Sequence, residues 1–223
     1  MAGGSNPLPV GQVQDYSIRR QSTTGPDVLV RAFTPDGPPP SPAGWPAVLY
    51  FHGGGFVFGN INTENTVCTH MCMRAQCVVI TADYRLAPED PFPAGVEDCW
   101  ETLLWSTSEG ARTLGLDLRK VAIGGASSGA NLAAVVTQRA STRQVPRFGG
   151  FVHQLLVVPV TDNTATTENN PSWREYQYTA SLTAEKMTWY RKHYLPNKDD
   201  WPNPEASPLL FPVEQMANNT LAS

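Results

Sequence analysis

The stretch that decides the fold is residues 120–134, KVAIGGASSGANLAA. Its first half is a short apolar run typical of a buried strand, and its second half is an alanine-rich run typical of a helix. Between them stands Gly125-Ala126-Ser127-Ser128-Gly129. A serine at a tight strand-to-helix turn needs small residues two positions before and after it, because the two backbones approach too closely for side chains. Ser127 has glycine at both positions, whereas the frame shifted by one residue has alanine at both.

The segments on either side of this motif indicate the fold that surrounds it. Strand-length apolar runs (AVLYF, CVVITADY, KVAIGGAS and HQLLVVPV) are separated by helical-length segments at about 65–75, 94–108 and 128–140. Such an alternation predicts a parallel sheet. Upstream, YSIRR and VLVRAF surround a turn-rich QSTTGPD, which predicts an antiparallel pair. We therefore expect an α/β protein with a mostly parallel central sheet and helices on both faces. Taken alone, the glycine–serine motif also fits a small-residue helix entry or a phosphate-binding turn.

Composition narrows the possible functions. The 223 residues suffice for one domain with a sizeable core, and the net charge of −4 gives no basic footprint for nucleic acid. No segment has the length and apolarity of a membrane span, and the N-terminus lacks a basic segment followed by an apolar run. We expect a cytoplasmic protein that binds small molecules; its oligomeric state stays open. The sequon at Asn218-Asn219-Thr220 is interpreted as a chance occurrence.

Four cysteines raise a metal-binding alternative, because His70 lies between Cys68 and Cys72. If this segment is a helix, the two cysteines share one face and His70 points away from it. The prediction is therefore that these thiols, together with Cys77 and Cys99, are buried and free. Neither a metal ion nor an organic cofactor is implied.

A second motif, His52-Gly53-Gly54-Gly55-Phe56, follows the strand AVLYF. Successive glycines are costly in backbone entropy. Their use is to let main-chain N–H groups face a carbonyl oxygen as it becomes an oxyanion, where one lost donor costs about 3 kcal/mol of barrier. The amide after the serine is the remaining donor. His52 precedes the serine, whereas the base at such a turn follows it, so His52 is expected to order the loop.

Together these residues resemble the hormone-sensitive-lipase-like esterases, the HGGG group of the α/β hydrolases. The matching segments are 52–56, DYRLAPE at 83–89 with FPA at 92–94, and GASSGANLA at 125–133. The resemblance covers roughly residues 12–212. It implies a carboxylic ester hydrolase that forms an acyl-enzyme on Ser127 and acts on a small-molecule ester. It also implies an oxyanion hole from the amides of Gly54, Gly55 and Ser128 and a loop ordered by His52 and Gly53. By the same resemblance, residues 84–89 brace the sheet beside the site.

The resemblance also implies that the acid and base of the family's triad follow a segment similar to 206–210. The expectation is thus a single α/β-hydrolase domain over 1–223 that lacks the last strands and exposes a sheet edge, with a cap-like insertion at about 162–205. His153 and His193 follow Ser127, and Asp162 with His193 is the plausible in-order pair. A partly solvated helix histidine and a strand-ending aspartate are the simpler interpretation. The alternative function is a non-catalytic small-ligand-binding protein or an inactive truncated member of the family.

Overall fold

The computed structural model describes residues 6–216 of the chain. The strands are β1 (Gln12–Ile18), β2 (Val28–Thr34), β3 (Trp45–Phe51), β4 (Val78–Ala82), β5 (Leu116–Ala126) and β6 (His153–Val157). The helices are α1 (Asn65–Ala75), α2 (Ala94–Thr107), α3 (Glu109–Leu114), α4 (Ser128–Thr142), α5 (Pro171–Glu175), α6 (Ala184–Tyr194) and α7 (Val213–Met216). The sequon at 218–220 lies outside the described residues.

The six strands form one mixed sheet in the order β1-β2-β4-β3-β5-β6. Strands β4, β3, β5 and β6 run parallel, as the alternating pattern predicted. The predicted antiparallel pair of β1 and β2 is also confirmed. Strand β2 pairs antiparallel with β4 and so connects this pair to the parallel strands. The predicted α/β-hydrolase fold, with its mostly parallel sheet, is confirmed.

Helices cover both faces of the sheet because side chains alternate along the central strands. Leu49, Ile80 and Ile123 lie side by side across three strands and enter the main core with residues of α2 and α4. Val79 and Tyr50 point to the other face, where they pack with cysteines of α1. The parallel strands are thus buried on both sides.

All four cysteines are buried and free, as predicted. Cys68 and Cys72 face the sheet from α1, and the Sγ atom of Cys72 lies 3.5 Å from the carbonyl oxygen of Phe33. His70, in contrast, points to the carbonyl oxygen of Asn6. Across residues 6–216 there is no cluster of three or more side chains suited to a metal ion.

Strand β6 forms one edge of the sheet. Leu156 packs against the main core, while the alternate residues His153, Leu155 and Val157 are exposed. An edge strand offers unpaired backbone groups as well as this apolar face, a combination that favours association.

The segment after β6 holds α5, α6 and two short 3-10 turns, Lys198–Asp200 and Pro208–Leu210. Thr183 caps α6 by accepting a hydrogen bond from the Lys186 amide. The other end of α6 stacks Tyr194 on Phe56, with ring centroids 3.7 Å apart, so the helix lies over the glycine loop. No helix within the described part of the chain has the length and apolarity needed to cross a membrane.

Candidate active site

Ser127 stands at the turn between β5 and α4 with φ 53° and ψ −114°. A positive φ at a non-glycine residue is strained, and such strain persists only where the surrounding structure imposes it. Two backbone hydrogen bonds do so here. The Ser127 amide donates to the Val157 carbonyl at 2.8 Å, and the Asn131 amide donates to the Ser127 carbonyl at 3.1 Å. The serine is therefore held between β6 and the first turn of α4.

The two glycines that flank this serine are required by close backbone approach. A Cβ atom added at Gly129 would lie less than 3.0 Å from the carbonyl oxygens of Phe51 and His52. One added at Gly125 would lie 2.7 Å from the Phe51 oxygen. Glycine at both positions is thus needed for α4 to pack against the end of β3.

The glycine loop runs beside the serine. A Cβ atom added at Gly53 would lie 3.5 Å from the Ser127 Cβ. Gly54 and Gly55 have φ values of 136° and 62°, a region that favours glycine. Neither of their amides donates a hydrogen bond to a residue in 6–216. The Ser128 amide, in the first turn of α4, is likewise without an intrahelical partner. The amides of Gly54, Gly55 and Ser128 are therefore left without a backbone partner in the described residues.

His52 is 1% exposed and packs against this loop. Its Nδ1 lies 2.8 Å from the Gly53 carbonyl oxygen, and its ring stacks on Tyr84 at 4.2 Å. The Tyr84 hydroxyl donates to the His52 carbonyl at 2.8 Å. Burial lowers the pKa of His52, which favours the neutral imidazole. These contacts hold the His52 ring against the glycine loop.

The run at 83–89 connects the glycine loop to α2. The Ala87 amide donates to the Phe56 carbonyl at 2.9 Å. Arg85 pairs with Asp98 of α2 at 3.0 Å, and the Arg85 amide donates to the same carboxylate at 2.7 Å. Asp98 is 1% exposed and also pairs with Arg20. The run thus fixes the loop against the sheet, consistent with a bracing role.

A cavity of about 150 Å³ opens beside Ser127. It lies between the glycine loop and α6, and most of its wall is apolar. The lining residues are Gly54, Gly55, Phe56, Ser127, Val160, Asn163, Leu182, Met187, Tyr190 and Arg191. Ser127, Gly54 and Gly55 therefore line a space fit for a small ligand.

The structure does not bring the candidate acid and base to this cavity. His153 pairs with Ala122, four residues before Ala126 in β5, so it lies about 13 Å from the serine end of the strand. The His193 ring packs at a tilt of 54° against Trp189, with ring centroids 4.2 Å apart. Asp162 accepts hydrogen bonds from the amide and hydroxyl of Thr164. Within residues 6–216, no hydrogen bond joins Asp162 to His193 or either of them to Ser127.

Sequence reasoning missed Arg191, which belongs to the cavity wall. In this helix the sequence analysis singled out His193 alone. Helical spacing carried the overlooked signal, because Met187, Tyr190 and Arg191 share one face of α6 at intervals of three and four residues. The cavity is lined by that face.

The strained serine turn, the glycine loop and the mixed sheet together define the α/β-hydrolase class. A family profile described as alpha/beta hydrolase fold matches residues 48–221. AB hydrolase superfamily protein C1039.03 of Schizosaccharomyces pombe is 51% identical over 219 residues, which cover 98% of this chain and 63% of that protein. Esterase LipI of Mycobacterium tuberculosis is 38% identical over 179 residues, covering 80% of this chain and 53% of LipI.

Solved structures agree with these sequence matches. An esterase from Pyrobaculum calidifontis superposes with a TM-score of 0.81 at 34% identity, over 92% of this chain and 63% of that one. The thermostable carboxylesterase EstE1 gives a TM-score of 0.78 at 37% identity, over 91% of this chain and 65% of that one. The chain belongs to the hormone-sensitive-lipase-like esterase family of the α/β-hydrolase fold. It spans between half and two thirds of the length of these relatives.

Proposed function

We propose that this chain carries the nucleophile and the oxyanion hole of a carboxylic ester hydrolase. Ser127 is the nucleophile, and the amides of Gly54, Gly55 and Ser128 are the oxyanion donors. The observation that carries the proposal is the convergence of a strained serine and free backbone amides on one small, mostly apolar cavity. Family membership supports it, since relatives named as esterases share this fold.

In the proposed reaction, the Ser127 Oγ adds to the ester carbonyl carbon and its proton passes to a general base. The carbonyl oxygen gains negative charge and accepts hydrogen bonds from the free amides, which the rigid loop holds in place before the reaction. The C–O bond to the alcohol then breaks, the alcohol leaves with a proton, and Ser127 keeps the acyl group. Water adds to this acyl-enzyme, releasing the carboxylic acid and restoring the serine.

We further propose that residues 162–205 act as a cap over the cavity. Leu182, Met187 and Tyr190 contribute apolar wall from this segment, and α6 packs on the glycine loop. A Cβ atom at Gly55 would lie 2.6 Å from a ring atom of Tyr190, so loop and cap are closely fitted. An apolar cavity of about 150 Å³ holds a molecule the size of benzene. The substrates proposed are therefore esters with a short group on this side.

The second candidate is a non-catalytic protein that binds a small ligand in the same cavity. One observation favours it: no histidine in residues 6–216 hydrogen-bonds to Ser127. Without a base, a serine keeps an ordinary hydroxyl, although binding and an oxyanion hole alone can leave about 10³-fold acceleration over water.

Turnover of p-nitrophenyl butyrate by the purified chain separates the two candidates. Wild-type protein is compared with Ser127→Ala, which removes the nucleophile, and with Ser141→Ala, which removes a hydroxyl near the far end of α4. The esterase proposal predicts turnover in the wild type and Ser141→Ala proteins that falls to the buffer rate in Ser127→Ala. Equal rates in all three proteins would reject catalysis by Ser127 and favour the ligand-binding candidate.

A further inference from the structure

Arg191 is a buried cation in the wall of the Ser127 cavity. The residue is 5% exposed, and among residues 6–216 no carboxylate lies within 4.0 Å of its guanidinium. Buried charges in proteins are as a rule paired, because removing a charge from water is costly. Asp162 attracts the guanidinium only from beyond that distance, and burial lowers the pKa of Arg191 despite it.

The groups in direct contact with the Arg191 guanidinium are uncharged and satisfy part of its hydrogen-bonding capacity. One terminal nitrogen donates to the carbonyl oxygens of Asn163 and Ala165. The guanidinium also lies over the rings of Trp201 and Trp173, at 4.4 and 5.3 Å from their centroids. Its Nε is buried without an acceptor in the described part of the chain. Two carbonyls and two rings therefore fix the side chain in place, and no carboxylate of the described residues forms a direct ion pair with it.

This cation shares a small space with the proposed nucleophile. Ser127 and Arg191 line the same cavity of about 150 Å³, whose remaining wall is mainly Phe56, Val160, Leu182, Met187 and Tyr190. In such an apolar setting, a charge-assisted hydrogen bond is stronger than in water. A ligand with an ester carbonyl at the serine and a carboxylate at the arginine would meet both the proposed nucleophile and the buried cation of the cavity. Its size limits the connecting chain to a few carbons.

We propose that the cavity is selective for short esters that carry a carboxylate, the half-esters of small dicarboxylic acids, and that Arg191 binds the carboxylate. This inference rests on the proposed function. Hydrolysis would add water across the ester bond and yield a free dicarboxylate and an alcohol, with the distal carboxylate unchanged. Arg191 would then be a specificity-determining residue of the site.

Binding to the Ser127→Ala protein tests the proposal without consuming the ligand. Monomethyl glutarate and methyl pentanoate have the same ester and chain and differ by a terminal carboxylate in place of a methyl group. Titration calorimetry is expected to show the glutarate ester binding at least about tenfold more tightly. Adding Arg191→Met should abolish that preference, whereas Arg191→Lys should retain part of it. Lys192→Met, which removes an exposed charge from the neighbouring position of α6, should leave it unchanged.

Equal affinity for the two esters, binding of neither, or a preference that survives Arg191→Met in a folded protein would overturn the inference. Circular dichroism verifies folding of each variant. If Arg191→Met does not fold, the comparison of the two esters on the Arg191-containing protein decides the matter. The outcome is separate from that of the proposed function, because the ligand-binding assay needs no reactive serine. An absence of Ser127-dependent turnover in the esterase assay would reject hydrolysis and leave this binding result standing.

Discussion

Replacing Gly129 with alanine tests whether close backbone approach dictates the serine turn. The added methyl group would lie less than 3.0 Å from the carbonyl oxygens of Phe51 and His52. Both obstructing atoms belong to the backbone, at the end of β3 and the start of the glycine loop, so no side-chain rotation can make room. The start of α4 must shift away from the sheet instead.

The expected magnitude is a balance of two opposing effects. Alanine favours a helix over glycine by about 1 kcal/mol, which would stabilise the variant. Forcing a methyl group into a packed site costs typically 1–3 kcal/mol and occasionally more. Since rigid backbone on one side limits relaxation here, we expect a net loss of about 2 kcal/mol in the free energy of unfolding. For a domain of this size, such a loss lowers Tm by roughly 4–8 °C.

Urea unfolding followed by tryptophan fluorescence measures this loss. Gly149→Ala is the matched control, because the same methyl group would meet nothing within 4 Å at an exposed position. Its stability should stay within about 0.5 kcal/mol of the wild type. If the wild type hydrolyses esters, Gly129→Ala should also lose about 100-fold in rate through displacement of Ser127. Equal stability of the two alanine variants would refute the steric reasoning.

Two further predictions concern pH and association. Burial alone would raise the pKa of Glu101, but its carboxylate accepts hydrogen bonds from the amides of residues 21–23, which bring that pKa below its usual value. Its stabilisation is therefore fully present above about pH 4.3 and is lost as the pH falls through the lower folded-state pKa. The stability difference between wild type and Glu101→Gln in urea unfolding should accordingly be larger at pH 7 than at pH 3, and a pH-independent difference would contradict this. Leu155→Lys, on the exposed face of β6, should reduce concentration-dependent light scattering, because a charge there opposes edge pairing. The control Leu209→Lys, at an exposed apolar position outside the sheet, should leave the scattering unchanged. Equal scattering of both variants would exclude the β6 edge as the cause of association.

Local pattern predicted the regular elements closely. Helix α1 occupies the predicted 65–75, and α2 ends one residue before its predicted limit of 108. These elements follow from apolar spacing and from the glycines and prolines that interrupt it, which are properties of short segments. The antiparallel pairing of β2 with β4 was not predicted, because it joins strands that are far apart in the sequence and depends on which edge of the sheet is free.

The sequence by itself determined which segments form strands and helices, and it singled out Ser127 and the glycine loop, because tight turns restrict residue types over a few adjacent positions. The tertiary structure decided which residues pack against those motifs and which of their backbone groups remain without a partner. In the folded chain the amides of Gly54 and Gly55 lack backbone partners among the described residues, His52 packs against the glycine loop, and Arg191 lines the cavity. Such relations depend on the packing of segments that are far apart in the sequence, and a side chain's burial and charge environment exist only once that packing has formed.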